Sequence, residues 1–262
     1  PPFTPGNPTA TPWGDDNTDQ NFKKGWQAYQ DEDFATVVDQ MSLVIQAQPE
    51  LAPAYRHRGM AFWYLGECSQ ALKDLEHAIS IAPEYASAWP GLGVTYGCLG
   101  NDQQALQAYQ KALSLDPSLA VVHHNLGAYY AEQMNFEKAL EEYNLGLSID
   151  PTRSSTWKNR SYTLSLLGRF DECLALANEA LANNPQAWYA YFGRGICKSS
   201  SGLHTEAIED FETYLNQKPK DSSALTSLGY AYGYRADAYF EAGNYAAAIP
   251  DYEKTISLIN DV

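Results

Sequence analysis

The sequence predicts an all-α chain built as an array of antiparallel helix pairs, and three observations carry that prediction. Pro49, Pro83, Pro117, Pro151, Pro185 and Pro219 follow one another every 34 residues, and a fixed period of that length marks stacked repeats of two-helix size. With each proline set at place 32 of its repeat, place 8 reads Gly25, Gly59, Gly93, Gly127, Ser161 and Gly195, while place 20 reads Val37, Ala71, Ala105, Ala139, Cys173 and Ala207. Small residues on both helices let their axes approach closely, so these places mark where the helices of one pair cross. Gly66, Gly100, Gly168 and Gly202 share place 15 between the two apolar stretches, where a helix ends and the chain reverses.

Residues 1–17 precede the array. Pro1, Pro2, Pro5, Pro8 and Pro12, interleaved with threonines, make a Pro/Thr-rich arm without periodicity, expected to be extended. The chain opens without methionine, so a processed or trimmed start is expected. Six repeats then follow without gaps at 18–51, 52–85, 86–119, 120–153, 154–187 and 188–221. The third shows the whole pattern: Trp89, Leu92, Gly93 and Tyr96 in the first helix, Ala105 and Tyr109 in the second, and Pro117 as the stop. The seventh unit, 222–262, departs from the phase, because its second helix from Asn244 is displaced by seven residues. Seven residues are close to two helical turns, which leaves the buried face nearly unrotated. Residues 222–241 are therefore expected to form one lengthened helix, with Ser222–Ser223 as its N-cap and Gly243 closing it. Pro250 lies inside the last helix and is expected to kink or delay it.

The order Trp89, Leu92, Gly93, Tyr96, then Ala105, Tyr109 and Pro117 resembles the tetratricopeptide repeat signature W-x2-L-G-x2-Y, A-x3-F and P at a 34-residue period. The resemblance covers residues 18–262. It implies a right-handed superhelical solenoid of antiparallel helix pairs that binds other proteins, with an atypical last unit serving as a cap.

Charge and motifs narrow the chemistry. With 32 acidic and 17 basic side chains the net charge is −15, which repels phosphate backbones and anionic lipid, so neither nucleic acid nor direct membrane insertion is expected. No apolar run approaches the roughly 18 residues of a spanning helix. Asp15, Asn17 and Asp19 imitate a calcium loop, but Gln20 and Trp26 stand where its glycine and closing glutamate are required, so helix-capping acids are the expected reading. His123 and His124 are adjacent, and on a helix their side chains diverge by about 100°. No phosphate loop, catalytic triad order or CxxC spacing occurs. No catalytic residue, metal site or cofactor is expected, and the chain is not expected to be an enzyme.

The repeats serve as controls on one another. Arg58, Arg194 and Arg235 hold place 7, and each has an aspartate at place 23: Asp74, Asp210 and Asp251. Ion pairs within each repeat are expected. Arg160 has Leu176 there instead, so its partner must come from a neighbouring repeat, from water or from a ligand. Cys68 and Cys98 stand at places 17 and 13 of successive repeats, and Cys173 and Cys197 at places 20 and 10, so both pairs sum to thirty. The second helix of one repeat runs antiparallel to the first helix of the next, which sets such places at similar heights. Two disulfides, with an oxidising compartment, stand beside four buried thiols as readings of that pattern.

In the family that the sequence resembles, first helices line a groove near places 2, 5, 6, 9, 12 and 13. Carried onto this chain, those places give Phe22, Lys23, Trp26 and Tyr29, then Arg56, His57, Met60, Trp63 and Tyr64, then Ser87, Gly91, Val94 and Gly97. Further on come His124 and Asn125, Lys158, Asn159 and Tyr162, then Tyr189, Phe192 and Ile196, and last Tyr230, Tyr234, Asp237 and Phe240. This lining is aromatic and carries more cations than anions, against the charge of the whole chain. It suits an acidic segment. Asn125 and Asn159 share place 6 of adjacent repeats, where amides can bond the backbone of an extended peptide, and Arg160 joins the candidate groove set as the cation without an aspartate.

Two functions follow. The first is an interaction scaffold binding an extended, acidic segment of another protein; the second is an assembly protein whose groove takes the N-terminal arm of its own or a neighbouring copy, anchored by Phe3 and Trp13. The processed start, the arm as a tether and the paired cysteines point to an extracytoplasmic bacterial location.

Overall fold

A computed structural model describes residues 16–217 and 225–260. Among them the chain forms α1 (Asp16–Gln30), α2 (Phe34–Ala47), α3 (Ala52–Tyr64), α4 (Cys68–Ile81), α5 (Trp89–Cys98), α6 (Asp102–Leu115) and α7 (Ala120–Glu132). Then follow α8 (Phe136–Ile149), α9 (Ser154–Leu166), α10 (Phe170–Asn183), α11 (Trp188–Ser200), α12 (His204–Gln217), α13 (Leu225–Glu241) and α14 (Tyr245–Asn260). The described residues contain no strand. The fold is all-α, a solenoid of helix pairs in which neighbouring helices such as α1 and α2, α3 and α4, or α11 and α12 pack on one another. α1 takes in Asp16 and Asn17 from the end of the segment read as an arm; Phe3, Trp13, Pro219 and the Ser222–Ser223 cap lie outside the described residues.

Every first helix ends with the same closure. The amides of Asp33, Glu67, Asn101, Asn135, Arg169, Leu203 and Asn244 donate to the carbonyls of Ala28, Phe62, Tyr96, Tyr130, Leu164, Lys198 and Tyr239. Such a closure needs a left-handed residue just before it. Gly66, Gly100, Gly168, Gly202 and Gly243 supply it, while Glu32 (φ 58°) and Met134 (φ 57°) hold the same place despite carrying Cβ atoms.

Within a pair, the place 8 glycine is matched to a bulky residue at place 24. A Cβ on Gly93, Gly127 or Gly195 would collide with the ring of Tyr109, Tyr143 or Phe211, and one on Gly25 or Gly59 with Met41 or Leu75. Place 20 lies beside this contact, the Ala71 carbonyl oxygen standing 3.2 Å from where a Gly59 Cβ would be. The expected small-to-small contact is thus only half of the reason for the glycine. The fifth repeat inverts the pair, with Ser161 at place 8 and Ala177 at place 24, both buried.

The place 7 arginines grip their aspartates with two hydrogen bonds each. Arg58 donates to Asp74 at 2.6 and 2.8 Å, Arg194 to Asp210 at 2.8 and 2.6 Å, and Arg235 to Asp251 at 2.6 and 2.8 Å. Between repeats, the prolines contribute acceptors as well as stops. The indoles of Trp89 and Trp157 donate to the Pro83 and Pro151 carbonyls at 3.1 and 2.7 Å, and the Tyr191 hydroxyl to that of Pro185 at 3.1 Å. α13 has 17 residues against the 13 of α11. α14 is helical from Tyr245 through Pro250 to Asn260, so the proline does not delay the helix.

The chain divides into two bodies, one ending at Val122 and the other running from His123 to the C-terminal residues. Each carries one disulfide between the second helix of a repeat and the first helix of the next. Cys68–Cys98 joins α4 to α5 and Cys173–Cys197 joins α10 to α11, with Cα–Cα distances of 6.3 and 5.7 Å. Cys98 is exposed, whereas Cys173 and Cys197 are fully buried.

Thiol–disulfide exchange needs access to a sulfur. Under a thiol reductant in native buffer, alkylation followed by mass spectrometry should label Cys68 and Cys98 first, and Cys173 and Cys197 only once the chain unfolds. Release of all four together would contradict the difference in burial.

Candidate functional site

In the first body, α1 and α3 enclose His57 in aromatic edges. Phe22, Trp26 and Tyr29 stand with ring centroids 5.6, 5.5 and 5.9 Å from the imidazole. Burial, and then the charge of the adjacent Arg56, hold the His57 pKa well below its ordinary value, so the ring is neutral. Arg56 is itself buried and donates from Nε to the Ser87 carbonyl at 3.0 Å. Trp63 is half-buried, edge-on to Tyr64 at 4.9 Å. Gly91 leaves room for Met60, whose sulfur a Cβ there would meet at 2.8 Å.

The second body presents a different face on α7, α9, α11 and α13. The two histidines diverge as the helix requires: His123 Nδ1 lies 2.7 Å from a Glu142 carboxylate oxygen and His124 Nδ1 lies 3.1 Å from the Thr156 hydroxyl. Burial, followed by positive charges that include Arg153 and Lys158, depresses the His124 pKa. Asn125 is half-buried on the same helix, and Asn159 is hydrogen-bonded with the Tyr143 side chain. Among the described residues, no group of His, Cys, Asp and Glu could hold a metal ion.

Lys158 is the centre of this face. Its Nζ sits 3.6 Å from the centroid of Tyr230, and burial lowers its pKa. Tyr162 is exposed, and the Tyr234 hydroxyl is pushed up to about 12 by burial and then by Tyr162, Tyr230 and Asp237. Those causes bring α9 and α13 side chains to one spot around a lysine that has no carboxylate partner among the described residues. Cation–π contact of this kind is worth about 0.5–2 kcal/mol depending on desolvation. Tyr189 on α11 has its ring centroid 6.0 Å from Trp157 and 5.7 Å from Trp188.

Of the expected groove residues, Arg56, His57, Gly91, Arg160, Phe192 and Ile196 are buried. Phe192 is fully buried, stacked on Tyr214 at 4.7 Å, because the second body closes its core there. Arg160 is buried between repeats and donates from Nε to Asn144 on α8 at 2.6 Å. The partner is a neighbouring repeat at place 25, a place from which Ser42 and Asn178 also reach Arg58 and Arg194. Of the three sources expected for the Arg160 partner, the neighbouring repeat supplies it, at a place that pairing place 7 with place 23 does not include. Arg160 Nη1 remains without a hydrogen bond, and burial lowers the Arg160 pKa.

The comparisons agree with this architecture. A TPR repeat model matches residues 98–133, and tetratricopeptide repeat models match 52–85, 120–153, 167–224 and 223–261. No curated protein matches the sequence. A solved tetratricopeptide repeat protein from Parabacteroides merdae is similar with TM-score 0.62 and 17% identity, over 92% of this chain and 93% of that one. A chain of the APC/C hetero-tetramer Cut9–Hcn1 gives 0.61 and 14%, over 89% of this chain and 45% of that one. PilW, described as a widely conserved type IV pilus biogenesis factor, gives 0.53 and 20%, over 77% and 90%. At these identities the likeness is one of fold.

Leu92 and Leu126 occupy place 7 in the third and fourth repeats, both buried. A buried cation without a carboxylate costs more than an apolar residue of similar length, by about 1–4 kcal/mol in comparable cases. Arg160→Leu should therefore raise the urea midpoint of unfolding. A fall of similar size would show that the bond to Asn144 outweighs desolvation.

Proposed function

Because the chain belongs to the tetratricopeptide repeat superfamily, we propose that it is a protein–protein interaction scaffold whose second body takes an extended, acidic segment of a partner protein along α7, α9, α11 and α13. The observation that carries this reading is Lys158, desolvated and resting on Tyr230 without a carboxylate. An incoming Asp or Glu gains a charge-assisted hydrogen bond that nothing described in the chain already satisfies. Tyr162, Tyr189 and Tyr230 offer ring faces and edges for neighbouring side chains, and Asn125 and Asn159 offer amides to the peptide backbone. Binding needs no acid–base chemistry, and no catalytic role is assigned to any residue. The disulfides suit an oxidising compartment outside the cytoplasm. Residues 1–17 are the competing occupant of such a face.

Fluorescence anisotropy with a library of extended acidic decapeptides and its Asn/Gln counterpart tests the reading. The acidic library should bind about tenfold more tightly, the equivalent of one charge-assisted hydrogen bond. Lys158→Met should abolish the difference while leaving the fold intact. Equal affinity for both libraries, or no binding by the full chain and by a variant lacking residues 1–15, would sink it.

A further inference from the structure

The two disulfides differ in more than burial. Cys173 and Cys197 are both shut off from solvent, and Cys173 stands one turn inside α10, behind Asp171 and Glu172. Cys68 is also buried, at 6% exposure, but it is the first residue of α4, and its partner Cys98 is the exposed last residue of α5. A Cβ on Gly97 or Gly100 would meet no atom within 4 Å, so the space beside Cys98 is open. No side chain caps the first turn of α4; the Glu67 carboxylate instead accepts from the Gln70 amide at 2.8 Å. The amides at that end of the helix are left to hold negative charge on the Cys68 sulfur.

The helix that this bond holds is a weak one. α5 has 10 residues against the 13 of α3 and α9, and a 3-10 turn at Ala86–Ala88 stands before it. Gly91, Gly93 and Gly97 are three of those ten residues, and glycine favours a helix less than any residue but proline. Gly91 and Gly93 make room for Met60 and Tyr109. Gly97 makes room for no neighbour, and the disulfide ties the residue after it to α4.

We propose that Cys98 is a reversible thiolation site, which takes the thiolate of a small thiol of the glutathione class in exchange for Cys68, and that this exchange releases the C-terminal end of α5 from α4. The incoming thiolate forms a bond to Cys98 Sγ as the bond from Cys98 to Cys68 breaks, and the electron pair of that bond leaves on Cys68 as a thiolate. The small thiol is oxidised to the disulfide level while Cys68 is reduced, so no further oxidant or reductant takes part. Exchange is faster when the departing thiolate is stabilised, as it is at a helix N-terminus. Attack by Cys68 on the mixed disulfide restores the original bond. A small thiol needs only a reachable sulfur, and Cys98 is the one exposed cysteine of the four.

Reduced glutathione added to the full chain in native buffer, followed at early times by quenching with N-ethylmaleimide and peptide mass spectrometry, should place glutathione on Cys98 and maleimide on Cys68, with the Cys173–Cys197 bond intact. The Cys68→Ala variant, loaded at Cys98 with oxidised glutathione, holds the product without the reverse step. Its α5 amides should exchange with deuterium about tenfold faster than those of the unmodified chain, as a locally loosened helix does, with the rates in α9 to α11 unchanged. Glutathione on Cys68 in equal or greater amount, adducts on the second disulfide at the same rate, no adduct at all, or unchanged exchange in α5 each overturn the proposal.

Discussion

The close approach of place 8 on one helix to place 24 on its partner is the contact on which the rest of this structure depends. A ring or branched side chain fills the space where a Cβ would stand on Gly25, Gly59, Gly93, Gly127 and Gly195, and interiors this dense leave no room for a slip of register. Once that contact is fixed, the other elements of the repeat fall into reach. An arginine at place 7 meets an aspartate at place 23, and the helix ends at place 15 in a left-handed residue. Each hairpin thus specifies its own crossing before it stacks on another.

Stacking adds a smaller and more varied set of contacts. Proline carbonyls accept from aromatic donors of the next repeat, place 25 side chains reach the next arginine, and one disulfide in each body ties neighbouring repeats together. Energies in such an array are sums over neighbours, so a repeat can give up one contact where another compensates. The fifth repeat does this, losing the aspartate and the glycine together and gaining Asn144 and a disulfide. Its first helix also carries Lys158 and Tyr162, which face outward because the interior contacts of that helix run along other places.

Much of this was legible in the sequence, because a repeat prints its constraints several times. The proline period, the turn glycines and the Arg–Asp pairs each recur, and antiparallel neighbours convert cysteine spacing into height along a helix. What escaped was information held between repeats or within one turn of an expected place. Places 20 and 24 lie one turn apart, so the small residue at 20 concealed the bulky one at 24. For Arg160 the sequence left a neighbouring repeat, water and a ligand open, and comparing place 7 with place 23 could not single out Asn144 of the repeat before. Phe192 shares its place with Lys158 but turns into the core against Tyr214, a contact set by a second helix that no first-helix pattern reveals.

The inverted pair of the fifth repeat offers the most direct test of this account. Ser161→Gly and Ala177→Tyr, made singly and together, would convert it to the form of the fourth repeat, with urea unfolding as the readout. If the place 8 to place 24 contact governs the hairpin, Ala177→Tyr alone costs about 1–3 kcal/mol by overpacking, and the double variant recovers most of that loss. A coupling energy near zero between the two changes would contradict it.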